Sequence, residues 1–238
     1  LRRELARRWR ESPPDVFVGI DAPDFNLGLE KKLRKAGIKT THYVSPSIWA
    51  WRPGRVKKVK KAADLVLCIL PFEPSLYEEH GVHAVLVCHP KAHEAPEIVN
   101  TEASRSELGL GAGEVVEFMP GSRSGEVSRI GGIAAAAAKE FLALRPGIRF
   151  VTPVAAPKLR PMIEQQLRDA GVEAQFTLLD GDSKLAISAA DVVLQASGTA
   201  VLEAALLRKP TVATYRLSPV TYWIAKWLVK LEYYTLPN

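Results

Sequence analysis

A chain of 238 residues, 47% hydrophobic and 24% charged, is long enough to build one large or two modest domains around a substantial core. That balance, with a mean hydropathy of -0.01, excludes a disordered chain and an integral membrane protein. The net charge of +6 favours anionic partners such as phosphates, nucleic acid or acidic lipid, the plain alternative being a solvated basic face. Two cysteines, Cys68 and Cys88, lie beside apolar residues and form no CxxC, which suits buried thiols in a reducing compartment and speaks against structural zinc.

The opening stretch, LRRELARRWRESPPD, is amphipathic and arginine-rich but lacks the apolar core and cleavage site of a signal peptide. The chain begins inside this helix and stops abruptly at Asn238, so a segment of a longer protein is expected. After Pro13 and Pro14, Val16 to Ile20 reads as a buried parallel strand. Its exit carries Asp21, Ala22, Pro23, Asp24, Phe25 and Asn26, where open α/β sheets gather functional groups. Two carboxylates and an amide there suit a general base with a helper; a helix cap by Asp24 or Asn26 is the plainer use, and it does not account for Asp21.

A charged helix from Leu27 to Lys35 closes at Gly37, and Ile38 to Val44 forms the next strand. It runs into SPSIWAW, whose Trp49 and Trp51 either line a sugar or acyl site or cover the core. The basic run RPGRVKKVKK, residues 52–61, reads by default as a solvated helix face, with anionic lipid as the functional alternative. It lacks the interleaved aromatics of a single-strand binder, so nucleic acid is not expected. Strands follow at Ala62 to Leu70 and Val82 to Val87, the second ending at Cys88, His89 and Pro90. His89 is either a hydrogen-bonded structural residue or a substrate contact at a domain junction. No metal-ligand spacing appears around His93 and Glu94.

Lys91 to Thr101 reads as a linker, and a second series of strand and helix units begins at Glu114. There EVVEFMPGSRSGEV breaks from strand through Pro120 into Gly121, Ser122 and Arg123. This is an anion cradle: bare N–H groups at a helix N-terminus beside a guanidinium. Strand-to-helix turns with glycine also arise for conformational reasons alone. Further strands are expected at Arg149 to Val154, Gln175 to Leu179, Val192 to Ala196 and Thr211 to Tyr215. The fourth strand of this series delivers Ser197, Gly198 and Thr199 to a helix start, a second phosphate-type junction. Glu203 follows, either to accept both ribose hydroxyls or to complement the helix dipole. Pro219 to Leu231 mixes Tyr222, Trp223 and Trp227 with lysines, as a membrane interface or a buried helix edge would. The alternation predicts an α/β fold of two Rossmann-like doubly wound domains facing a cleft. GxxxxGK[ST] does not occur, which disfavours a P-loop ATPase.

The segments GIDAPDFN, YVSPSIWAW, LPFE, HP, PGSRSGEV, ASGTAVLE and LPN, in this order and nearly end to end, closely resemble the lipid-A-disaccharide synthase family. The resemblance implies an inverting glycosyltransferase of the GT-B type that joins UDP-2,3-diacylglucosamine to 2,3-diacylglucosamine 1-phosphate and releases UDP. It implies residues 1–95 as part of an N-terminal acceptor-side domain and 96–238 as the C-terminal nucleotide-sugar domain. Asp21 would be the general base for the acceptor's 6-hydroxyl, with Asn26 and His89 as substrate contacts. Arg123 would stabilise the departing diphosphate, Gly121 and Ser122 lending donors. Ser197, Gly198 and Thr199 would complete the pyrophosphate pocket, Glu203 would hold the ribose, and Asn238 would be a further contact.

The family also implies no divalent ion or other cofactor, peripheral attachment to the anionic inner face of the cytoplasmic membrane in a Gram-negative bacterium, and helices exchanged between subunits of a homodimer. Family members begin with Gly-Glu-x-Ser-Gly-Asp and continue past LPN, so this segment alone is expected to be weakly active or inactive. Cys88 stands where the family has glycine, and Glu117 interrupts an otherwise apolar strand. A related UDP-sugar 2-epimerase would keep Ser197 and Glu203 but gives no reason for the Asp21 to Asn26 stretch. A non-enzymatic binder of anionic surfaces would rest on charge alone.

Overall fold

The structure, a computed structural model, describes residues 1–49, 53–217 and 223. The chain separates into two compact units, Leu1–His93 in the first and the described chain from Glu94 to 217 in the second.

In the first unit, α1 (Arg2–Glu11) precedes β1 (Val16–Ile20), α2 (Pro23–Arg34), β2 (Lys39–Tyr43), α3 (Val56–Ala62), β3 (Leu65–Cys68), α4 (Glu73–Glu78), β4 (Ala84–Leu86) and the short α5 (Pro90–Glu94). The four strands are parallel and stand in the sheet in chain order. Right-handed crossovers that step always in one direction place the connecting helices α2, α3 and α4 on the same sheet face. That is the face of Gly19, His42, Val66 and Ala84, which align across the four strands. Leu27 of α2, Val56 and Val59 of α3 and Tyr77 of α4 bury against Val66 and Cys68 there. The opposite row, Ile20, Tyr43, Leu67 and Val85, has no such cover among the described residues, where Ile20 is 63% exposed. The expectation that Val16 to Ile20 is wholly buried is corrected accordingly: Val16, Val18 and Ile20 all point to the open face.

The basic run is a short turn of 3-10 helix at Pro53–Arg55 followed by α3, whose Val56, Val59 and Ala62 are buried while its lysines stay in water. Cys68 lies in the same core, where burial and the neighbouring Glu73 charge push its thiol up to about 12. It is a structural thiol. Pro90–Glu94 is helical where the sequence suggested the start of a linker.

The second unit contains α6 (Thr101–Glu107), β5 (Val115–Met119), α7 (Ser124–Leu144), β6 (Arg149–Val154), α8 (Arg160–Ala170), β7 (Phe176–Asp180), α9 (Ser183–Ala189), β8 (Val192–Ala196), α10 (Thr199–Leu206) and β9 (Thr211–Thr214). Its five parallel strands run in the order β7-β6-β5-β8-β9. The chain steps outward through β6 and β7 and then returns to the other side of β5, so α7 and α8 cover one face and α9 and α10 the other. The reversal lies between β5 and β8. In open α/β sheets ligands bind outside the strand C-termini at such a point. At the opposite end, Asp191 accepts from Arg105 at 2.6 Å and from the Val115 N–H at 2.9 Å, locking α6 to the start of the sheet.

Candidate functional site

The exits of β5 and β8 are neighbours, because Met119 pairs with Gln195. After β5, Gly121 takes φ 121°, a conformation that disfavours a side chain, and a Cβ there would lie 2.6 Å from Glu126 Cβ. The tight turn lets Glu126, in the first turn of α7, reach back. Its Oε2 accepts from the Ser122 and Arg123 N–H groups at 3.0 and 3.2 Å, and its Oε1 accepts from Arg123 Nη1 at 2.9 Å. This is the back-reaching half of a capping box, arginine having no acceptor to make the other half, and it corrects the expectation of bare N–H groups at Ser122 and Arg123: an internal carboxylate already occupies them. The geometry still accepts an anion at this turn, for a carboxylate is what it holds. Arg123, its side chain 80% exposed, spends one of its five N–H donors on Glu126.

After β8, the Ser197 N–H is tied to Thr214 O at 2.9 Å, Gly198 is the N-cap of α10, and Thr199 is its first residue. Gly198 offers no capping side chain, so the first N–H groups of α10 have no side-chain oxygen from the cap, which is the arrangement an anion requires. One turn on, Glu203 is half-buried and its Oε2 accepts from Ser183 Oγ at 3.1 Å. Ser183 had no role in the sequence reading. Its part depends on α9 and α10 lying side by side, which no local motif reports.

In the first unit, the exit of β1 is built from strained backbone. Asp21 and Ala22 take φ of 46° and 40°, left-handed conformations that non-glycine residues rarely adopt in succession. Val44 after β2 and Cys88 after β4 are left-handed too. Strain of this kind is kept where surrounding contacts enforce it. Here Asn26 enforces it: its Nδ2 donates to Ile20 O at 3.0 Å and Asp21 O at 2.8 Å, while the Asp21 N–H donates to Tyr43 O at 2.9 Å. Asp21 is exposed at the end of this clamp.

The capping alternative for Asp24 and Asn26 is corrected: the helix starts earlier, at Pro23, with Ala22 as N-cap and no side-chain cap bond. Asp24 instead accepts from Arg55 Nη2 at 2.7 Å. Beneath the turn, Glu30 and His42 are fully buried and joined at 2.7 Å between Oε1 and Nδ1. A Cβ on Gly19 would fall 1.9 Å from that same Glu30 oxygen. The pair fixes α2 against β1 and β2 from below as Asn26 does from above. Glu30 and His42 went unnoticed in the sequence because each looks like an ordinary polar residue of its own element.

Glu73, within LPFE, is also buried and accepts from the Ile69 and Leu70 N–H groups at 3.2 and 3.1 Å and from Trp49 Nε1 at 3.4 Å. Trp49 packs edge-on against Phe72, so among the two readings of this tryptophan the structural one has direct contacts. His89 is half-buried, its Nδ1 accepting from the Lys91 N–H at 3.2 Å. The left-handed Cys88 just before it, φ 63°, occupies a conformation that glycine would take without strain. Trp51, Tyr222, Trp227 and Asn238 lie outside the described residues. Among the described residues no group of three or more His, Cys, Asp or Glu is placed to hold a metal ion.

Two parallel α/β units, the second with its switch point at a pair of anion-type turns, define a fold of the GT-B type. Solved structures show the same architecture. The Staphylococcus aureus MnaA–UDP co-structure matches over 100% of this chain and 66% of its own, with TM-score 0.62 at 12% identity. UDP-GlcNAc 2-epimerase from Neisseria meningitidis, bound to UDP-GlcNAc, matches over 98% and 68%, with TM-score 0.60 at 13% identity. The sequence is more specific: the chain belongs to the lipid-A-disaccharide synthetase family, which it matches over residues 1–238. Lipid-A-disaccharide synthase of Pseudomonas fluorescens (strain Pf0-1) is 52% identical over 243 residues, 99% of this chain and 64% of the relative. That of Pseudomonas putida (strain W619) is 53% identical over 237 residues, 100% of this chain and 63% of the relative. The chain thus spans a little under two thirds of the length of these relatives.

Proposed function

We propose that the protein carrying this chain transfers a diacylglucosaminyl group from UDP-2,3-diacylglucosamine to 2,3-diacylglucosamine 1-phosphate, forming the lipid A disaccharide 1-phosphate and UDP. The observation that carries this reading is the match to the lipid-A-disaccharide synthetase family along the whole chain. The second unit binds the donor. Arg123 meets the diphosphate, with Gly121 and Ser122 shaping the turn; Ser197, Gly198 and Thr199 bring the start of α10 to the same group, and Glu203 accepts the ribose hydroxyls. The first unit serves the acceptor, with Asn26 holding the turn that presents Asp21 and His89 a further substrate contact.

In the reaction the Asp21 carboxylate takes the proton of the acceptor's 6-hydroxyl as that oxygen attacks the anomeric carbon. The bond from that carbon to the diphosphate oxygen breaks, and UDP leaves with the electron pair. The Arg123 guanidinium stabilises the charge that builds on the leaving diphosphate. Attack from the face opposite the leaving group inverts the anomeric centre. Both lipid substrates reside at a membrane surface, and no described helix is long and apolar enough to cross one. Peripheral attachment through lysine-rich surface, at the cytoplasmic face of the inner membrane, and a homodimer belong to the same proposal.

The test is to incubate the full-length protein with both sugar lipids and follow disaccharide and UDP by mass spectrometry. Equimolar disaccharide and UDP are expected. Release of UDP with no disaccharide, or 2-epimerised sugar in its place, would overturn the reading.

A further inference from the structure

Strand β5 occupies the centre of the second sheet, yet it carries Glu117, fully buried and, among the described residues, with no hydrogen-bond partner on either carboxyl oxygen. Glu117 is in register with Val151 of β6 and Val193 of β8, and Val193 and Met119 share a core cluster with Ala204 of α10. By strand alternation Glu117 therefore points to the α9 and α10 face, as does Gln195, diagonal to it on β8. Gln195 is equally buried, and neither of its amide atoms has a partner among the described residues. Glu203 follows from α10 beside this floor: it adjoins Ala204 of that cluster, is bonded to Ser183 Oγ, and its charge acts on Glu117.

Among the described residues the packed elements offer Glu117 no positive charge. From β6 and β8 come Val151, Val193 and Gln195. On α9, Ser183 is turned to Glu203, Lys184 donates to Glu94 O, and Asp182 caps Leu185 N. Lys209, beyond the far end of α10, is spent on Thr101 Oγ1 and Ala190 O. Burial first, and then the charge of Glu203, hold the Glu117 carboxyl well above the usual carboxylate range, in its acid form.

We propose that Glu117 is a positioning residue for Glu203: its buried carboxyl group, with the Gln195 amide beside it, forms the polar floor that sets the Glu203 carboxylate toward the nucleotide's ribose. The proposal rests on the assignment of Glu203 to that ribose. Loss of the proton would put two negative charges into one dry site, and repulsion would displace Glu203, the member with access to solvent.

The experiment measures UDP affinity by calorimetry for the full-length protein and its Glu117→Gln and Glu117→Leu variants, at about pH 6.5 and about pH 9. Glutamine keeps the polar floor without the ability to ionise. At the lower pH, Glu117→Leu is expected to weaken UDP binding about tenfold and Glu117→Gln less than about threefold. Comparing Glu117→Gln with wild type at each pH cancels the titration of UDP itself. That ratio should move by about threefold or more in favour of the variant at the higher pH, and should stop moving when both proteins also carry Glu203→Gln.

Thermal unfolding reads the fold independently. A carboxyl whose pKa is raised by folding contributes stability below its ordinary value of 4.5 that is lost as pH rises toward the raised one. Glu117→Gln should accordingly unfold no lower than wild type at neutral pH. Wild-type UDP binding that Glu117→Leu leaves unchanged, or a Glu117→Gln ratio flat with pH, overturns the positioning role alone. Failure of wild type to bind UDP at all overturns the donor-site reading beneath it.

Discussion

Replacing Asp21 by asparagine is expected to lower the rate of sugar transfer by about 100-fold or more, the scale at which a positioned general base acts. The substitution is a clean one for this turn. Asp21 sits at φ 46°, a left-handed conformation that asparagine tolerates better than most residues, so the backbone clamp should survive. The bonds that hold the turn run from Asn26 Nδ2 to the carbonyls of Ile20 and Asp21 and from the Asp21 N–H to Tyr43 O, and none uses the Asp21 carboxylate. What the variant loses is the ability to take a proton. Steady-state kinetics should show kcat falling while UDP affinity stays level, as the proposed donor site in the other unit requires. A variant with a near-normal rate would remove Asp21 from the role of base.

The second large effect is structural and has the opposite sign to secondary-structure propensity. Alanine in a strand interior is ordinarily favoured over glycine by about 0.5–1 kcal/mol. Gly19→Ala should nevertheless destabilise the fold by about 3 kcal/mol or more, because the added Cβ would stand 1.9 Å from Glu30 Oε1. That oxygen has nowhere to go. It is fully buried and bonded to His42 Nδ1 at 2.7 Å, so relief means breaking a buried polar pair. In a chain of this size the loss corresponds to a fall in melting temperature of roughly 6–12 °C, measurable by circular dichroism. An unchanged melting temperature would show that Glu30 can swing aside, and that the pair does not anchor α2 beneath the Asp21 turn.

The parts of this protein that could be read from its sequence are those where one element carries its own signal. Apolar runs such as Val192 to Ala196 marked strands, and Pro120-Gly121 and Ser197-Gly198 marked strand exits where helices begin. Topology then placed Arg123 and Glu203 at neighbouring strand ends, since β5 and β8 pair. What stayed hidden depends on which side chain from one element meets another. Glu126 reads as a routine first-turn acid, and only the fold of Gly121 shows that it takes the Ser122 and Arg123 N–H groups. The start of α2 was misplaced for a related reason: Asp21 and Ala22 take left-handed backbone without any glycine to announce it. Glu117 was visible as an anomaly in an apolar strand, but its neighbour Glu203 is far along the chain and is brought beside it by the crossover through α9 and α10.

The arrangement of the second unit makes one demand that can be met or refused directly. A crystal structure of the full-length protein with UDP should place the diphosphate within hydrogen-bonding distance of the Arg123 guanidinium and the start of α10, with both ribose hydroxyls on the Glu203 carboxylate. UDP bound away from the exits of β5 and β8, or its ribose turned from Glu203, would contradict the account.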